Sequence, residues 1–137
     1  MSHAPTLSVE GFFDPATHTV SYLLLDTASR ACALIDSVLD YDPKSGRTRT
    51  DSADRLIARV AELGATVHWL LETHVHADHL SAALPEGAVG GRIAIGSHVR
   101  RVQHVFGTLF NAGPVLRTTA ASSTNSSTTA TRSNSAR

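Results

Sequence analysis

The sequence predicts an α/β fold, and three observations carry that reading. Three runs of strand composition follow one another in the first 36 residues. From residue 51 onward, helix-period and strand-period segments alternate, the pattern of an α/β unit. At 137 residues and 42% apolar content, the chain is long enough to bury a core without disulfide staples.

LSVEGFF (7–13) and HTVSYLLL (18–25) read as strands, and DPAT between them reads as a turn with Pro15 fixing φ. RACALID (30–36) is a third, short, apolar strand, so the sheet is expected to begin antiparallel. SVLDYDPKSGRTRT (37–50) reads as a polar loop around Pro43 and Gly46. A helix is expected to start at a cap on Asp51 or Ser52. Its apolar face would carry Ala53, Leu56, Ile57, Val60 and Ala61, with Asp54, Arg55, Arg59 and Glu62 on the other side and Gly64 closing it. TVHWLLE (66–72) and RIAIG (92–96) read as strands, with room for a further helix between them. Ser97 is expected to cap a last helix, HVRRVQHVFGTLF, with Val99, Val102, Phe106 and Leu109 at helical spacing.

Composition excludes several classes. Lys plus Arg and Asp plus Glu are each 12, so the net charge is zero and no phosphate-neutralising nucleic-acid binder is expected. No apolar run reaches transmembrane length, and MSHAPTLSVEG lacks the basic and apolar regions of a secretory signal. The expectation is a cytoplasmic protein with no membrane and no nucleic-acid partner. The single Cys32 reads as a small buried hydrophobe rather than a sensor thiol. Residues 118–137 contain 12 Ser or Thr and no large apolar side chain, so a disordered tail is expected, with 1–114 as a partial domain and 115–137 as the tail.

Eight His residues are the unusual count, and three of them fall within one heptapeptide. The strand WLLE runs directly into Thr73-His74-Val75-His76-Ala77-Asp78-His79. Extended backbone would place His74 and His76 on one side, and a turn at Ala77 would let Asp78 and His79 join them. Imidazole and carboxylate donors suit Zn²⁺ or Fe²⁺. His74, His76, Asp78 and His79 are therefore the candidate metal ligands.

The H-x-H-x-D-H string after an apolar strand resembles the metal signature of the metallo-β-lactamase superfamily. VEGFFDPATHTVSYLLLD, ALIDSVLDYDPKSGRT and LLETHVHADHLSAA are similar to its persulfide dioxygenase branch and the neighbouring bacterial β-lactamase-like hydrolases. The resemblance implies the N-terminal half of an αββα sandwich. It implies one Fe²⁺ held by His74 with a later His and a later Asp, with His76, Asp78 and His79 as nearby supporting groups, acting on a thiol or persulfide substrate such as glutathione persulfide. In the hydrolase alternative it implies Zn²⁺, with Asp78 as the catalytic carboxylate beside His79 at a second metal. Asp36, at a strand end, is the candidate residue for orienting the motif loop.

The chain departs from that family after the motif. No Asp follows Asp78, and neither His98 nor His104 sits in a family-like motif, so a third reading is a non-catalytic fragment. A shifted reading frame is the expectation for LPEGAVG (84–90) and for the stretch from roughly 115 to 137, because codons chosen for family-like sequence give residues 84–90 and 119–131 when read out of frame. Without the second half, one sheet face is expected to stay uncovered and to bring copies together as a homo-oligomer.

Overall fold

The computed structural model describes residues 6–83 and 89–111. Strands β1 (Leu7–Asp14), β2 (Thr19–Asp26), β3 (Ala31–Ile35), β6 (Thr66–Glu72) and β8 (Arg92–Ile95) form one sheet in the order β1-β2-β3-β6-β8. The first three strands pair antiparallel, as their close succession predicts. β3 and β6 pair parallel, and so do β6 and β8. The β3–β6 crossover is helix α1 (Asp51–Glu62), the connection a parallel pair needs. Helix α2 (Val99–Leu109) follows β8.

The segment 37–50 is not simply a loop. It forms β4 (Val38–Asp42) and β5 (Arg47–Arg49), which pair antiparallel, and β4 also pairs with β7 (Leu80–Ser81). These strands make a second sheet in the order β5-β4-β7. The polar composition hid them. The turn between β4 and β5 uses Asp42 as an acceptor for the Lys44 N–H and the Ser45 hydroxyl, with Gly46 at a φ of 68°.

Leu23 and Leu25 on β2, Cys32 and Leu34 on β3, and Val67 and Leu70 on β6 point to one face. Leu56 and Val60 of α1 close over them, and Ala83 completes the cluster. Cys32 is buried here as a small hydrophobe, and burial raises its thiol pKa. The apolar stripe of α1 is narrower than its periodicity predicts. Ser52 is buried and Ala61 is exposed, because the helix rolls toward β4.

Neither expected cap is a side-chain cap. The N-cap position of α1 is Thr50, and the Asp40 carboxylate on β4 accepts the Ser52 N–H at 2.8 Å and the Ser52 hydroxyl at 2.6 Å. A residue from another element thus satisfies the helix N-terminus. The N-cap position of α2 is His98 rather than Ser97. Gly64 does close α1, at a φ of 58°.

The opposite face of the large sheet is apolar and open at the β1 side, where Leu7, Val9, Phe13, Val20 and Tyr22 are exposed. They share a face because Val9 pairs with Leu24 and Phe13 with Val20 in the β1–β2 register. The helix with room between the motif and β8 would fall on residues 84–88, outside the described residues, as do the tail over 115–137 and most of LPEGAVG.

Candidate metal centre

The site begins where β3 and β6 end side by side. The Asp36 N–H donates to the Leu71 carbonyl at 2.9 Å, and Asp36 sits at a φ of 52°, a left-handed conformation that Asp tolerates better than most residues. This turns its carboxylate onto the start of the motif loop. The Thr73 N–H donates to Oδ1 at 2.8 Å and the Thr73 hydroxyl to Oδ2 at 2.7 Å. Burial alone would raise the Asp36 carboxyl, but these two bonds and the one to His76 outweigh it and hold the pKa below the usual range.

Gly96, just past β8, fits against the same loop. A Cβ on it would lie 2.7 Å from the Thr73 carbonyl oxygen, so only glycine allows this approach.

His76 is held by two carboxylates. Its Nε2 lies 2.9 Å from Asp36 Oδ1 and 3.3 Å from Glu72 Oε2. The Ser81 hydroxyl donates to the other oxygen of Glu72. Burial pushes the Glu72 carboxyl up. With Nε2 facing acceptors, Nδ1 of His76 faces Asp78, 3.6 Å from Oδ1.

His79 is buried, while Asp78 beside it is exposed. The rings of His76 and His79 are 4.2 Å apart between centroids. Burial, and then His76, lower the His79 pKa, so its imidazole is neutral near pH 7. Asp78 is held low by its own backbone N–H, with His79 and Thr19 adding to this against a smaller effect of burial. Thr19 Oγ1 is 3.2 Å from Asp78 Oδ2 and 3.2 Å from His79 Nδ1. His79 Nε2 is buried with no hydrogen-bond partner.

Donor atoms of His76, Asp78 and His79 lie within 4.8 Å of one another. Two imidazoles and a carboxylate with a buried, unpaired ring nitrogen fit a divalent transition metal. An orphaned nitrogen at this position otherwise costs free energy for which nothing compensates. His74 is not a member of this trio, although its ring neighbours His76. It is exposed, its ring centroid lies 4.3 Å from that of His76 with the planes tilted by 49°, and its Nδ1 meets the Thr73 hydroxyl at 2.8 Å. Asp36, Glu72 and His76 form a second close group, in which the carboxylates are occupied by Thr73 and Ser81. A cleft of about 510 Å³ opens beside the trio, lined by Tyr41 and Arg49 of the β4–β5 hairpin among others.

Sequence reasoning identified the motif and Asp36 but missed Glu72, Thr19 and Ser81. Glu72 was legible as the polar last residue of an apolar strand. Thr19 lies 60 residues from His79 and carries no local signal.

No family model matches the chain. Over 109 residues it is 77% identical to a Burkholderia pseudomallei protein named "Probable metallo-hydrolase", a match covering 79% of this chain and 37% of that protein. It is 34% identical over 82 residues to the Homo sapiens protein named "Persulfide dioxygenase ETHE1, mitochondrial", covering 60% of this chain and 28% of that one. Among solved structures, ETHE1 from Myxococcus xanthus superimposes with a TM-score of 0.53 at 32% identity, covering 64% of this chain and 34% of that chain. The chain thus spans about a third of the length of the relatives it matches.

Proposed function

Because this chain belongs to the metallo-β-lactamase superfamily, we propose that it carries the first part of a metal-dependent catalytic centre that acts on a thiol or persulfide. One observation supports this above the rest: His79, which groups with His76 and Asp78, buries an Nε2 that has no hydrogen-bond partner. Two His and one carboxylate with open positions form the donor set of non-haem iron(II) oxygenases, so the reading favours a mononuclear Fe²⁺. The 34% identity to a persulfide dioxygenase supports the same choice. Bound iron(II) would supply the redox chemistry by which O₂ oxidises a persulfide sulfur to sulfite and frees the thiol.

The residues of this chain prepare for that chemistry. His76 is oriented through Nε2 by Asp36 and Glu72, which leaves Nδ1 for the ion. His79 stays neutral because it is buried, so its lone pair is available at pH 7. Asp78 supplies the anionic donor. His74 is exposed beside His76.

A hydrolase is the second reading, favoured by the name of the relative at 77% identity. In it the ion is Zn²⁺, which lowers the pKa of bound water to about 7, and Asp78 is the catalytic carboxylate. No helix among the described residues is long and apolar enough to cross a membrane, and we place the protein in the cytoplasm with a small-molecule substrate.

The test is elemental analysis of the purified full chain beside His79→Ala, followed by O₂ uptake with glutathione persulfide. Near-stoichiometric iron that is lost in the variant, with persulfide-dependent O₂ consumption, is the expected result. Stoichiometric zinc with no O₂ uptake would favour the hydrolase. Metal far below stoichiometry in the unaltered protein would overturn both readings and leave a non-catalytic fragment.

A further inference from the structure

The β1–β2 turn reaches the site through hydroxyl groups. Asp14, the buried last residue of β1, accepts the Thr17 hydroxyl at 2.6 Å, and the Ala16 and Thr17 N–H groups at 3.3 and 3.2 Å. Thr17 Oγ1 lies 2.9 Å from Thr19 Oγ1. Thr19 Oγ1 in turn meets both Asp78 Oδ2 and His79 Nδ1.

Counting protons assigns the directions of these bonds. As ionised carboxylates, Asp14 and Asp78 can only accept. The one Thr17 proton goes to Asp14, its shortest contact. With the Thr17 proton on Asp14, the one Thr19 proton goes to an oxygen, either Thr17 Oγ1 at 2.9 Å or Asp78 Oδ2 at 3.2 Å. Thr19 Oγ1 can therefore only accept from His79, and the proton between them belongs to Nδ1 of the imidazole. With Nδ1 protonated, Nε2 of neutral His79 carries the lone pair, and Nε2 is the buried atom without a partner. Asp78 Oδ2 also approaches Nδ1, at 3.4 Å, and favours the same tautomer, but Asp78 belongs to the donor trio itself. Thr19 is the partner of His79 that lies outside the trio.

We propose that Thr19 is a positioning residue that fixes the His79 tautomer, so that Nε2 is presented to the metal. The use made of Nε2 rests on the metal reading above; the tautomer assignment does not. Dependence of a ligand on one outer hydrogen bond is typically worth about 10- to 100-fold in metal affinity.

The experiment uses the full chain with Thr19→Val, which keeps the shape and removes the hydroxyl, and Thr19→Ser, which restores it. Long-range ¹H–¹⁵N spectra of the metal-free proteins read the His79 tautomer, and Co²⁺ titration followed by visible absorption reads affinity. The expected result is Nδ1–H His79 in the unaltered protein and in Thr19→Ser. Thr19→Val should show a shift toward Nε2–H and bind Co²⁺ about 10- to 100-fold more weakly. An unchanged tautomer in Thr19→Val would overturn the proposal, as would Nε2–H in the unaltered protein. A protein with the expected tautomers that binds no Co²⁺ would sustain the role of Thr19 and instead overturn the metal reading.

Discussion

Asp36 and Thr73 are joined by two hydrogen bonds, one to the backbone N–H at 2.8 Å and one to the hydroxyl at 2.7 Å. This pair fastens the end of β3 to the first residue after β6, and His76 then leans on the same carboxylate. Replacing Asp36 by Ala removes all three bonds at once. The expected outcome is about 10- to 100-fold weaker Co²⁺ or Zn²⁺ binding, measured by titration. Stability should fall by only about 1–2 kcal/mol in urea unfolding, because Thr73 is exposed and water can replace its partner.

Gly96→Ala places a methyl group 2.7 Å from the Thr73 carbonyl oxygen. The obstacle is backbone, which cannot rotate away, so the end of β8 must part from the motif loop. A loss of about 1–3 kcal/mol is expected. Chemical-shift changes should concentrate at Thr73 and His74 rather than across the sheet.

Leu34 is fully buried at the centre of the sheet, among Leu23, Leu56 and Leu70. Leu34→Ala is expected to cost about 2–5 kcal/mol. Leu7→Ala, on the exposed face of β1, should cost much less. Paired denaturation curves of the two variants check whether the core lies on the α1 side of the sheet.

His79 makes the metal-free protein sensitive to acid. Its folded pKa lies below the unfolded value of about 6.5, so as pH falls the unfolded chain takes up this proton first. The contribution is favourable to the fold above the unfolded value. It is lost as pH falls through about 6.5 toward the lower folded value. Unfolding free energies at pH 7.5 and 5.5 should show a drop for the unaltered protein that is smaller in His79→Gln.

The Arg59–Glu10 contact, with bonds of 2.8 and 2.9 Å, ties α1 to β1 across the edge of the core. Both groups are partly exposed. Salt screens such pairs, and Glu10→Gln is expected to cost less than about 1 kcal/mol, with the difference shrinking in concentrated salt.

The amino-acid sequence by itself determined the strands and the α1 crossover, because apolar periodicity is a local property. Leu23, Leu25, Leu56 and Val60 reached the core that their spacing predicts. It also placed His76, Asp78 and His79 together, since a short loop after a strand cannot hold them far apart. The polar β4–β5 hairpin escaped it, because a two-stranded ribbon with exposed side chains has no hydrophobic pattern to read. Only the tertiary structure decided what surrounds the motif. Asp40 reaches the N-terminus of α1 from β4, Glu72 turns inward against His76, and Thr19 meets His79 from 60 residues away. These bonds form only after the core has packed, because the folded sheets, and no local spacing, bring a donor and an acceptor within three ångströms or so.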